Sequence, residues 1–262
     1  MIDLNRLMSL PSRRCALPAA LVACGLCLAP GAPATAGDVP AAEELFAKHT
    51  AAIGGDALEK VKNMAAEFTF SMPAMGLSTT GEAYMEVPDK TYSMISLAAM
   101  GSADFESGVN GDIVWQNNPQ MGLRLLEGNE KRMGLRGGWL DAFGRWKDLW
   151  EEAETVGEET VGEAACYKVV LTPAEGEPLT AWFDKGTGLL VQEELAIPEM
   201  GASITTTFSD YREVSGVKTA HRIEQGGPMP FTIEYTDVRY NVDDIPDDAF
   251  EVPQGIKDMA AQ

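Results

Sequence analysis

From Met64 onward the chain alternates apolar and polar side chains in short runs, and this period of two constrains the fold more than any other feature. In the first run Phe68, Phe70 and Met72 fall on one face and Glu67, Thr69 and Ser71 on the other. In a later one Tyr167, Val169 and Leu171 oppose Lys168 and Val170. About thirteen such runs are present, one or two of them weak, centred near Phe68, Ala83, Ser93, Phe105, Val114, Leu125, Val156, Val169, Trp182, Val191, Thr206, Ile223 and Ile233. Many linkers between them are hairpin-sized. Asn110-Gly111-Asp112, Asp184-Lys185-Gly186-Thr187-Gly188 and Ser215-Gly216 each supply turn chemistry with a glycine free to take positive φ. Runs joined this way build an antiparallel sheet.

Four further linkers share a pattern: Pro73-Ala74-Met75-Gly76, Ala98-Ala99-Met100-Gly101, Pro119-Gln120-Met121-Gly122 and Pro198-Glu199-Met200-Gly201. Each predicts a tight turn with glycine last, which leaves a methionine at the hairpin tip. Such a residue is either a chance hydrophobe in a turn or part of a soft, adaptable rim.

Helical spacing interrupts the strands twice. Over Ala41–Ile53 the residues Leu45, Phe46, His49 and Ile53 share a face, Gly54-Gly55 ends the helix, and a short second helix is predicted from Asp56 to Lys62. Between about Asn129 and Glu152 a second helical segment is predicted, bent at Gly137-Gly138. Leu140, Phe143, Trp146 and Trp150 in its second half follow steps of three, three and four and predict an amphipathic cover with an aromatic face.

A barrel of about eight strands fills itself with side chains, and a wider sheet leaves room inside. The predicted fold is therefore mainly β with α: an antiparallel half-open β-barrel of about eleven or twelve strands with covering helices, as one domain over residues 37–262. An apolar cavity under an amphipathic lid is a lipid-sized site. The candidate lid and wall residues are Trp115, Trp139, Phe143, Trp146 and Trp150, with ordinary core packing as the competing reading; Met75, Met100, Met121 and Met200 are the candidate rim.

Residues 1–36 read as an export signal, with Arg6, Arg13 and Arg14 ahead of an apolar stretch and Ala34-Thr35-Ala36 as the cleavage pattern. The apolar stretch from Cys15 to Pro30 is shorter than the roughly 20 residues of a membrane span, so no transmembrane span is expected in the mature chain. A competing reading takes Leu21-Val22-Ala23-Cys24 followed by Gly25 as a lipobox, with Cys24 acylated and the protein tethered to a membrane. Either way the chain is expected outside the cytoplasm, in the periplasm.

Removing residues 1–36 takes away three basic residues and one acid, so a chain with 20 Lys+Arg and 40 Asp+Glu goes from a net charge of −20 to −22. That excess repels phosphate backbones and excludes nucleic acid as a partner of the bulk surface. Of the four cysteines only Cys166 remains, which rules out an internal disulfide and reads as a small buried apolar residue. His49 and His221 stand apart from any metal-ligand spacing, and no phosphate loop or GxSxG elbow is present. No metal, cofactor or catalytic residue is expected, and the chain reads as a non-enzyme.

One family likeness rests on several of these segments together. Leu45-Phe46-Ala47-Lys48-His49 through Ile53-Gly54-Gly55-Asp56-Ala57-Leu58, Asn110-Gly111-Asp112-Ile113-Val114-Trp115 and Tyr167-Lys168-Val169-Val170-Leu171-Thr172-Pro173 carry part of it. Trp182-Phe183-Asp184 to Thr187-Gly188-Leu189-Leu190-Val191 and Phe208-Ser209-Asp210-Tyr211-Arg212-Glu213-Val214 carry the rest. With these the chain resembles bacterial outer-membrane lipoprotein-sorting proteins, of the LolA/LolB-like superfamily, over nearly all of residues 40–256. The resemblance implies an incomplete antiparallel barrel with helices in its mouth, and a periplasmic carrier that holds lipid or lipoprotein acyl chains in a hydrophobic cavity without catalysis. The alternative is a cell-envelope protein-interaction module that uses a sheet edge or the Met-bearing hairpin tips to bind a protein partner.

Overall fold

The computed structural model describes residues 39–261, the side chains of Met100 and Glu199 excepted. The two processing sites read from the sequence, Ala36 and Cys24, lie outside the described residues. Thirteen strands form one sheet. They are β1 (Asn63–Met72), β2 (Leu77–Glu86), β3 (Lys90–Ile95), β4 (Phe105–Asn110), β5 (Ile113–Asn118), β6 (Gly122–Leu125) and β7 (Glu152–Val161), then β8 (Ala164–Thr172), β9 (Leu179–Asp184), β10 (Leu190–Ile197), β11 (Ala202–Val214), β12 (Val217–Gly226) and β13 (Phe231–Tyr240). Each predicted strand centre falls inside one of them, so the weak runs form strands too and the count exceeds the eleven or twelve expected.

The strand order is β6-β5-β4-β3-β2-β1-β13-β12-β11-β10-β9-β8-β7, with every pairing antiparallel. It is a meander whose two halves join where β1 pairs with β13. The sheet does not close: β6 and β7 are its free edges, and residues 126–151 carry the chain from one to the other. The result is the expected half-open barrel.

Alternating strand direction puts the turns after β1, β3, β5, β8, β10 and β12 at one end of the sheet. All four Met-Gly turns are among them. Gly76, Gly101, Gly122 and Gly201 have φ of 63°, 69°, 78° and 58°, a region a Cβ disfavours, which accounts for the fixed glycine after each methionine.

Helix α1 (Ala42–Ile53) buries Leu45, Phe46, His49 and Ile53, the face read from the sequence. Full burial of each apolar side chain contributes roughly 1.5–3 kcal/mol. Glu43 and Glu44 sit in its first turn, where the helix dipole favours negative charge. Past Gly54 the chain forms a 3-10 helix over Gly55–Lys60 rather than an α-helix to Lys62. Helix α2 (Gly128–Gly137) follows β6, and helix α3 (Gln254–Ala260), which the sequence reading did not foresee, ends the described chain.

Beyond α2 the predicted helical cover does not form. Residues 140–145 are turns, followed by one 3-10 turn over Trp146–Asp148. Asp141 opposes the helix through one near and one distant bond: its Oδ1 accepts the Gly144 N–H at 2.8 Å, and its Oδ2 accepts the Thr50 hydroxyl at 2.6 Å. A short acidic side chain that bonds nearby backbone competes with helical hydrogen bonding. The aromatic residues are buried all the same. Phe143, Trp146 and Trp150 join Leu45, Phe46, Val169, Leu171, Leu179, Ala181 and Phe183 in the largest core cluster. Ring centroids lie 5.3 Å apart for Phe46 and Phe143 and 4.9 Å apart for Phe143 and Phe183.

The two faces of the sheet are covered by different parts of the chain. Val114 and Trp115 are neighbours in β5, so they point to opposite faces. Val114 meets Gly134 of α2 on the inner face, whereas Trp115 packs with Val252 and Ile256 on the outer one. Gly108 lies opposite Trp115, and a Cβ there would come within 2.6 Å of the indole. Cys166 is fully buried in β8, as expected of a small apolar residue.

Candidate functional site

A cavity of about 610 Å³ lies between α2 and the inner face of β9 to β12. Register builds its floor. Leu195 of β10 is opposite Leu179 of β9 and Ile204 of β11, and Glu193 is opposite Ala181 and Thr206, so these side chains share one face. Asn129 and Met133, four residues apart on α2, form the roof. Gly176 and Glu177 from the β8–β9 turn, and Ile197 and Pro198 at the β10–β11 turn, complete the wall. Both turns belong to the end of the sheet that carries the Met-Gly turns, so the cavity lies at that end. Helix α1 is held at the other, where the His49 ring is 3.1 Å through Nδ1 from the carbonyl of Gly188 in the β9–β10 turn.

One ion pair joins roof to floor. The Arg136 guanidinium, in the last turn of α2, donates to the Glu193 carboxylate, which is 2% exposed as a residue. Arg136 Nε is buried without a partner among the described residues. Arg132, one turn earlier, donates to the Glu175 carbonyl at 3.0 Å and to the Asn129 side chain; burial lowers its pKa from the ordinary arginine value. Burial raises the pKa of the nearby Tyr211 phenol, with the Glu193 charge adding to the effect, and that phenol donates to the Leu190 carbonyl at 2.8 Å. On its other side α2 rests on Val114 through Gly134, so the helix straddles the opening between the two wings of the sheet.

The wall holds no histidine, cysteine or lysine among the described residues. Among the described residues no group of three or more His, Cys, Asp or Glu is placed to hold a metal ion. Such a surface can shelter an apolar chain and offer a few polar contacts at its margin.

The residues picked from the sequence lie around this cavity rather than in its wall. Phe143, Trp146 and Trp150 come together in the core cluster, which meets the cavity through Leu179 and Leu195. Trp139 stands apart under the Arg145 guanidinium, 3.9 Å from its ring, beside a smaller polar depression with Asp89, Asp112 and Asp148. Trp115 is on the opposite face of the sheet. Met75, Met121 and Met200 are exposed at the turns, and Met229 of the β12–β13 turn joins them at the same end. Sequence reasoning missed Met133, Glu193, Leu195 and Ile204. A signal existed: Asn129, Met133 and Arg136 follow helical spacing, and Glu193 is a charge in an apolar register.

No family model matches the chain, and no curated protein matches its sequence. Solved structures do. A DUF1329 family protein from Desulfovibrio piger superposes with a TM-score of 0.58 at 17% identity, covering 80% of this chain and 95% of that one. A LolA superfamily protein from Nitrosomonas europaea gives 0.57 at 12% identity, covering 82% and 99%. An outer membrane lipoprotein-sorting protein domain from Vibrio parahaemolyticus gives 0.54 at 13% identity, covering 80% and 95%. At these identities the likeness is one of architecture, and it agrees with the open meander and its crossing helix: the chain shares the fold of these three structures.

Proposed function

We propose that the chain is a non-enzymatic periplasmic carrier that holds lipid or lipoprotein acyl chains in the cavity beneath α2. The observation that carries this reading is the cavity itself: about 610 Å³, within the range of small-molecule sites, and floored by Leu179, Leu195 and Ile204. Burial supplies the driving force at about 0.8 kcal/mol per methylene, so ten buried methylenes contribute roughly 8 kcal/mol before the losses of immobilisation. The likeness to a LolA superfamily protein and to a lipoprotein-sorting domain supports the same class of cargo. In this reading Phe143, Trp146 and Trp150 stiffen the wall behind Leu179, while Trp139 and Trp115 brace the segments flanking α2. Met75, Met100, Met121 and Met200, with Met229, form the rim that first meets the chain.

A protein-interaction module remains the second reading, since exposed methionines at one end of a sheet also suit a polypeptide partner. The sheet edge supports it less: β7 carries Glu152, Glu154, Glu158 and Glu159, and charge on an edge strand discourages pairing.

Binding of a fluorescent fatty acid tests the carrier reading. The purified protein is expected to bind it, and Leu195→Arg to lose about tenfold or more in affinity with its circular dichroism retained. Unchanged binding by that variant rejects the cavity as the site. Native mass spectrometry of protein released gently from its own envelope tests the rest, reading retained lipid and an N-terminus at residue 37 or at acylated Cys24 in one spectrum.

A further inference from the structure

Among the described residues the cavity wall carries three carboxylates, Glu130, Glu177 and Glu193, and no cation, while Arg132 stands at its margin, bonded to the Asn129 side chain and the Glu175 carbonyl. Two are neutralised from outside: Glu130 accepts from Arg124 Nη2 at 2.8 Å, and Glu193 from Arg136. Glu177 has no hydrogen-bond or ion-pair partner among the described residues. It sits in the β8–β9 turn, at the end of the sheet where the cavity lies, half-buried rather than turned fully to water.

An amphiphile whose tail lies against Leu195, Ile204 and Met133 brings its head among these groups. An anionic head finds no cation in the wall, the Arg132 guanidinium at the margin being already engaged by Asn129 and the Glu175 carbonyl, and it meets a carboxylate without an ion-pair partner, Glu177. A cationic head finds a partner in Glu177, at a site partly withdrawn from solvent, where opposite charges attract more strongly than in open water. We propose that the cavity selects amphiphiles with a positively charged amine or quaternary ammonium head, Glu177 being the residue that reads the charge. This inference rests on the carrier reading and adds to it the class of head group.

Calorimetric titration of the purified protein with decylamine, decanol and decanoate, below their micellar concentrations and at pH 7, separates the two claims. Decylamine, an ammonium at that pH, is expected to bind about tenfold more tightly than decanol, and decanoate about tenfold more weakly. Glu177→Gln should bring the amine to the level of the alcohol while leaving decanol unchanged, and Glu177→Lys should reverse the order. Glu163→Gln, the same change in net charge at an exposed turn on the opposite end of the sheet, should leave all three affinities unaltered. Failure of every probe to bind overturns the carrier reading and this one with it. Equal binding of all three leaves the carrier standing and overturns the charge selection. An amine preference that Glu177→Gln and Glu163→Gln weaken equally is the work of the protein's overall charge and overturns the role of Glu177.

Discussion

Arg136 donates to Glu193 across the interior of the sheet, with 14% of the arginine side chain and 3% of the glutamate side chain exposed. The two residues come from the last turn of α2 and the middle of β10, so the pair fastens the helix to the wing opposite the one where Gly134 meets Val114. Each ion is tolerated away from water because the other is present.

Breaking that pair from one side should therefore be far worse than replacing it. Glu193→Ala is expected to lower stability by about 3–5 kcal/mol in urea unfolding, whereas Arg136→Met combined with Glu193→Leu recovers most of the loss. A double variant as unstable as the sum of its singles would show that the two residues act independently.

The other footing of α2 gives an opposite expectation from helix propensity. Alanine is a better helix former than glycine by about 1 kcal/mol, but a Cβ on Gly134 would stand 2.4 Å from Cγ1 of Val114, a stiff and buried side chain. Gly134→Ala should lower stability by about 1–3 kcal/mol, and Val114→Ala in the same chain should relieve the clash. A thermal melt in which Gly134→Ala gains stability would mean that the helix does not rest on β5.

Burial lowers the pKa of His49 below its ordinary 6.5, the Gly188 carbonyl and the charge of Asp141 opposing that shift. The unfolded chain then binds more protons than the folded one at pH values below 6.5. This contribution is constant above that pH and is lost as the pH falls from there through the folded-state value. The loss has a limiting slope of about 1.4 kcal/mol per pH unit. Urea melts from pH 7.5 down to pH 5 should show this extra slope in the native chain and its absence in His49→Phe. Parallel pH profiles for the two proteins would contradict it.

Serine in place of Met75, Met121, Met200 and Met229 changes only exposed positions at one end of the sheet. The melting temperature should stay within the scatter of surface substitutions. Uptake of a fluorescent lipid from vesicles should slow severalfold, with the equilibrium affinity for a soluble fatty acid unchanged. Equal uptake rates would remove the methionines from the route of entry.

Much of this architecture is legible in the sequence because it rests on short-range rules. Alternation locates each strand, and a residue pair such as Ser215-Gly216, both at positive φ, fixes a hairpin without reference to anything distant. The face of α1 is equally local. The segment from Leu140 to Trp150 is not, since its apolar spacing fits a helix while Asp141, bonded to Thr50 of a distant helix, holds it in turns. The cavity is harder still to read. Glu193 looks like one acid among 40 until β10 is placed beside β9 and β11, and only then does it face Arg136. Trp115 shows the same limit: its parity in β5 is clear from sequence, but which face α3 covers depends on where the C-terminal residues travel.

The route of residues 126–151 from one free edge of the sheet to the other has a mechanical corollary. This stretch acts as a bowstring drawn between the tips of a bow. Its first half is a helix clamped at both flanks, and its second half, irregular in backbone, is anchored by Phe143, Trp146 and Trp150 in the core. Spreading the tips must first draw these three rings out of the core, so the reach of the bow is governed by their burial rather than by the strands themselves.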